Sequence, residues 1–162
     1  MKKMKKMTAV LLTLVMALCV FTACGDPVAD EFEKFLNTDM VDVNANYEKL
    51  KTEMGKWSDF NTYDEIKTSI NDVLLPLIND SIEKVNAIGA ETEEVKALKT
   101  KYIAVMDKYK EAYGTMVVGC DTDDDSKFDE ANNQIDEGIK LLDEYNKALE
   151  DLATEKGMEI EY

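Results

Sequence analysis

The chain has 162 residues, with 34 acidic side chains against 19 basic ones, no arginine and no histidine, and a formal net charge of −15. Such an excess of acid disfavours nucleic acid or an anionic lipid surface as a partner and favours cations, basic proteins or plain solubility; self-repulsion should make stability rise with salt. Without histidine or arginine the chain cannot build a Ser-His or Cys-His nucleophile, a Glu-x-x-His di-iron site, histidine haem ligation or a bidentate guanidinium clamp, so no enzyme is expected.

The first segment reads MKKMKKMTAVLLTLVMALCVFTACGD. Lys2, Lys3, Lys5 and Lys6 form a positive n-region, and Thr8 to Phe21 is an apolar run without charge. That run is shorter than the ~20 residues a resident membrane helix needs, and it suits a secretory h-region. Phe21-Thr22-Ala23-Cys24 resembles a bacterial lipobox, with phenylalanine where leucine is usual. The resemblance implies diacylglycerol on the Cys24 thioether, palmitate as an acyl group, and cleavage before Cys24. It also implies a cell-membrane address facing outside the cytoplasm. An ordinary cleavable signal or an uncleaved anchor is the alternative. The resemblance covers the leader only. The expected organisation is a signal peptide over residues 1–23, a short tether over 24–27, a helical domain over 28–157 and a tail over 158–162. Cys19 leaves with the leader and Cys24 carries lipid, which leaves Cys120 alone and the mature domain without an internal disulfide.

Beyond the leader, apolar residues recur at steps of three and four, the mark of a helix seam. The first seam is Leu36, Met40, Val43, Tyr47, Leu50, Met54 and Trp57, on a helix predicted over 28–57. The second, predicted over 63–88, opens with the capping box Thr62-Tyr63-Asp64-Glu65. It changes phase by one residue around Pro76, where a proline removes the bond to the Asp72 carbonyl and a kink is expected. Gly89 suits its end. The third helix, predicted over 92–118, carries Val95, Leu98, Tyr102, Val105, Tyr109, Ala112 and Met116. The fourth, predicted over 126–156, opens with Ser126-Lys127-Phe128-Asp129 and carries Ala131, Ile135, Gly138, Leu142, Tyr145, Leu149 and Leu152. Gly138 on that seam suggests close approach of a neighbour. Each helix would be ~40 Å long. Short connections then predict an all-α, antiparallel up-down-up-down four-helix bundle, with a long three-helix arrangement as the alternative.

Helix order places the start of helix one, the Gly89 turn and the C-terminus at the membrane end. The segment Lys56–Asn61 and the run of aspartates around 121–125 fall at the far end. Two readings of that run stay open. One is a helix cap, since aspartate and serine favour the N-cap position and negative charge suits a helix N-terminus. The other is a weak calcium site using Asp121, Asp123, Asp125 and Asp129. Against the EF-type pattern, Ser126 replaces the glycine at position six, and Asn132 replaces the bidentate acid at position twelve. Trp57 and Phe60 are the candidate contacts for a partner at the same tip. Buried Cys120 is expected to be unreactive, its pKa raised by neighbouring aspartates. The expected function is a non-enzymatic, lipid-anchored binding or structural module of the cell envelope. Its partners would be the membrane, through Cys24, and a basic protein or cations at the tip.

Overall fold

The computed structural model describes residues 18–20 and 25–161. It is all-α, apart from a short antiparallel pairing of two strands, β1 (Leu18–Val20) and β2 (Glu159–Glu161). Residues 1–17, 21–24 and 162, and with them most of the expected leader and Cys24, lie outside the described residues.

The segment predicted as one helix over 28–57 is four pieces: α1 (Pro27–Lys34), a π-helical turn (Phe35–Asp39), α2 (Val41–Gly55) and a 3₁₀ turn (Lys56–Asp59). Asp26 opens α1. Its carboxylate accepts from the Val28 N–H at 2.9 Å, and Pro27 takes the first turn, where a missing N–H costs nothing. The π turn is closed by the Met40 N–H, which reaches back five residues to the Phe35 carbonyl at 3.0 Å. It absorbs one extra residue. Phe32, Leu36 and Met40, spaced by fours, therefore stay on the buried face that continues through Val43 and Tyr47.

The second segment repeats the device as α3 (Tyr63–Ser69), a π turn (Ile70–Leu74) and α4 (Leu75–Ala87). Both halves of the Thr62–Glu65 capping box are formed. The phase change that the sequence attributes to a proline kink is a one-residue insertion. The Leu75 N–H donates to the Ile70 carbonyl, and the π turn ends just before Pro76, which sits in the first turn of α4. Ile66, Ile70, Leu74 and Ile78, four residues apart, are all buried, so one face runs through the phase change.

The third and fourth segments are α5 (Glu93–Thr122) and α6 (Asp125–Glu155). Their seams are buried throughout, from Val95 to Met116 and from Phe128 to Leu152. Contacts between them fall on one helix as they rise on the other, which makes the pair antiparallel. The Tyr109 ring lies at Gly138, Phe128 lies at Gly119, and Tyr102 meets Tyr145 edge-on at 5.6 Å. Between α2 and α4, Asn46 donates to Asp80 and Ser81, while further along Glu53 of α2 meets Ser69 of α3. Met54 of α2 accepts from the Tyr113 hydroxyl of α5.

One end is tied by two long-range contacts. The Glu31 carboxylate accepts from the Glu91 and Thr92 N–H groups at 2.5 and 2.8 Å, and Lys156 pairs with Asp26 at 3.0 Å. Burial pushes the Glu31 carboxyl up, but bonds from the Thr92 hydroxyl and the two amides outweigh it and hold the group below its ordinary value. Residues 158–162, read as a tail, are partly structured. The Met158 N–H donates to the Ala153 carbonyl at 2.8 Å, its side chain is buried, and β2 follows.

Two glycines separate packing from helix propensity. A Cβ on Gly138 would lie 2.9 Å from Tyr109 Cε1, whereas one on Gly114 meets nothing within 4 Å. In urea unfolding, Gly114→Ala should raise stability by roughly 0.5–1 kcal/mol. Gly138→Ala should lower it by about 1–3 kcal/mol, because the buried ring must move.

Candidate functional site

The end of the fold opposite Asp26 gathers the two remaining connections. Lys67 of α3 pairs with Asp121 of α5, and the Tyr63 and Phe128 rings lie 5.3 Å apart. These contacts bring the segment around Trp57 and Phe60 to the same end as the aspartates.

The aspartate run spans the end of α5, a two-residue turn and the start of α6. Asp121 sits in the last turn of α5, which runs four residues past its predicted end. Asp123 caps that helix with a left-handed backbone, φ 52°, a conformation aspartate tolerates, and its N–H donates to the Gly119 carbonyl. Asp124 is extended and caps α6. Its carboxylate accepts from the Ser126 N–H at 2.9 Å and the Ser126 hydroxyl at 2.7 Å. Those two bonds, the hydroxyl's first, hold the Asp124 carboxyl below its usual range. The N-cap is thus Asp124, not Ser126: the acid reaches the free amide first, and Ser126 becomes its donor. Asp125 is the first residue of α6, and Asp129 is exposed on its second turn.

Only residues 123 and 124 lie between the helices. Asp121, Asp125 and Asp129 are therefore spread over two helix ends and do not wrap a common centre as an EF-type loop does. Among the described residues, no three acidic or cysteine side chains converge in a way that could hold a metal ion.

Trp57 and Phe60 are both half-buried and packed against the core. Trp57 is tied inward. Its Nε1–H donates to Ser69 Oγ at 2.8 Å, and its ring meets Tyr113 edge-on at 6.1 Å. Phe60 lines a shallow groove of about 360 Å³ with Glu53, Asp64, Glu65, Thr68, Ser69 and Val73.

The wall of that groove holds a polar chain that the seams do not reveal. Ser69 accepts from Trp57 and donates to Glu53 Oε1 at 2.8 Å, while Glu53 Oε2 pairs with Lys56 at 2.5 Å. Glu53 is 8% exposed, an unusual depth for a carboxylate. The Lys56 ammonium lowers its pKa, burial raises it, and Ser69 lowers it again, with a net fall. The available signal was positional: Glu53 directly precedes seam residue Met54 and stands three residues before Lys56.

Cys120 is buried beside this end, and its thiol is pushed up to about 11. Burial is the main cause. Lys67 pulls the value down, and Asp121 and Asp64 push it up, so the aspartates named from the sequence are secondary.

Among the described residues no helix is long and apolar enough to cross a membrane. The combination defines a class: an acidic all-helical domain behind an N-terminal sequence of lipoprotein type. The chain belongs to the family of EMYY-motif containing lipoproteins, whose family model matches residues 4–121, from the leader to the last turn of α5. No curated protein and no solved structure matches the chain.

Removing the Ser69 hydroxyl strands the Trp57 N–H and one Glu53 oxygen, so Ser69→Ala should cost about 1–3 kcal/mol in urea unfolding. The lowered Glu53 carboxyl favours the folded state above its unfolded pKa of ~4.3, and that contribution is lost as pH falls through the folded value. The stability gap between the parent and Glu53→Gln should be full at pH 7 and close in acid. Cys120 in the folded protein should react with a disulfide reagent roughly a hundredfold more slowly than a free thiol of pKa ~8.5, and at the ordinary rate in urea.

Proposed function

We propose that this is a non-enzymatic, lipid-anchored protein of the bacterial cell envelope, acylated on Cys24 and facing outside the cytoplasm. Its domain is an antiparallel up-down-up-down four-helix bundle that serves as a binding or structural module. The observation that carries the reading is the family match, which begins in the leader and runs on into the helical domain. The lipobox residues Phe21-Thr22-Ala23-Cys24 fall inside it. The bundle arrangement is favoured over a long three-helix one by the antiparallel pairs of α5 with α6 and of α2 with α4, and by Lys156 of the last turn meeting Asp26 of the first.

In this arrangement the acidic end, with Asp121, Asp123 and Asp125, stands ~40 Å from the anchored end. Its partner would be a basic protein, drawn by charge and met at the groove beside Phe60. Calcium at Asp121, Asp123, Asp125 and Asp129 is the alternative, motivated by four aspartates in five positions.

Two measurements test these readings. Cells fed a labelled palmitate analogue should label the parent chain and retain it in the membrane fraction, while Cys24→Ser loses both. An unlabelled parent that washes off membranes would refute the anchor. For calcium, thermal melts in EDTA and in millimolar calcium at matched ionic strength should coincide if the aspartates only cap helices. A calcium-specific rise in Tm, abolished by Asp123→Asn with Asp125→Asn, would establish the alternative.

A further inference from the structure

The strongest unassigned feature is the start of the described domain. Asp26 is held from two sides. One carboxylate oxygen accepts from the Val28 and Ala29 N–H groups at 2.9 and 3.4 Å, and the other pairs with Lys156 at 3.0 Å. Lys156 follows α6 directly, and its side chain is only 14% exposed. Pro27 then fixes the first turn of α1. Between Cys24 and this clamp there is a single residue, Gly25, with φ 106°. Consecutive Cα atoms are 3.8 Å apart, so Cys24 and Asp26 are separated by at most ~7 Å.

We propose that the domain has no working tether, and that the end carrying Asp26, the Gly89 turn and Lys156 is an interaction surface that seats directly on lipid headgroups. This rests on acylation of Cys24. Charge at that end is mixed, with Asp30, Glu91 and Glu155 beside Lys34, Lys96 and Lys156, which suits a zwitterionic headgroup surface better than a uniformly anionic one. The helices are thereby held away from the membrane plane, and the aspartate turn is kept outermost. A free linker of ten or more residues would instead let the domain tumble and reach sideways. The module then meets its partner at a set height of ~40 Å, not over a range.

The test uses the full acylated chain in phosphatidylcholine vesicles carrying a headgroup acceptor dye. Single cysteines replace exposed Glu94, in the first turn of α5, or exposed Thr122, in its last. Buried Cys120 stays in place, and the label taken up by the parent is subtracted. Energy transfer from position 94 should exceed that from position 122 about threefold or more, because the helix rise sets them ~40 Å apart. Twelve Gly-Ser residues inserted between Gly25 and Asp26 should bring the two signals together. Equal transfer from both positions in the parent, or no effect of the insertion, overturns the proposal. Mass spectrometry of each sample reads the acyl group on Cys24. Acylated chain with equal transfer defeats the seating alone, whereas chain without acyl mass defeats the anchor and the seating together.

Discussion

Two residues are all that separate the two longest helices. With Asp123 left-handed and Asp124 extended, α5 has no choice but to turn back into α6 and lie against it for its full length. That contact is close only because glycine stands where a neighbour's ring must fit, Gly138 under Tyr109 and Gly119 under Phe128. The hairpin supplies a continuous buried wall, and the first two helical segments lie against α5. Their own irregularities follow from this. A straight α5 seam presents apolar residues at a constant pitch, and each facing helix must keep its apolar face turned toward it. Runs of four-residue spacing drift away from an ideal α-helix face, and a π turn in each segment restores the phase.

Polar side chains join segments distant in sequence, at the ends of this core and, at Asn46 and Ser81, within it. Glu31 caps α5 from another helix, which is why the Gly89 connection can be short without leaving the Glu91 and Thr92 amides bare. At the opposite end Glu53 accepts from Ser69, which in turn accepts from Trp57. A carboxylate at such depth is tolerated because both its oxygens are bonded, one by an ammonium. The same chain holds Trp57 to the core through its one donor, while Phe60 lines the neighbouring groove.

The helical seams were legible residue by residue where the helices are regular. Val95 to Met116 and Phe128 to Leu152 could be read directly, because a 3.6-residue period leaves a clear trace in apolar spacing. Where a π turn intervenes the trace misleads. The apolar pattern breaks phase around Pro76, yet Ile66, Ile70, Leu74 and Ile78 share one buried face. Capping was half legible. The Thr62–Glu65 box is as its sequence states, but at the aspartate run several good caps compete, and local pattern does not say which acid reaches the amide first. The Glu53–Ser69 link was invisible, since it depends on which residues of two helices lie level.

What the sequence alone determined is everything carried by local spacing and composition. It marked an N-terminal sequence of lipoprotein type, an acidic chain without histidine or arginine, helices with apolar seams, and a glycine where two helices press together. These follow from covalent order and from the periodicity of one helix. Only the tertiary structure decided which backbone turns absorb an extra residue, that Asp124 and not Ser126 starts α6, that Trp57 faces inward, and that Asp26 is clamped by a lysine from the far end of the chain. Each depends on distances between segments remote in sequence. Those distances are set by how four segments of unequal phase share one core, a condition no single stretch of residues contains.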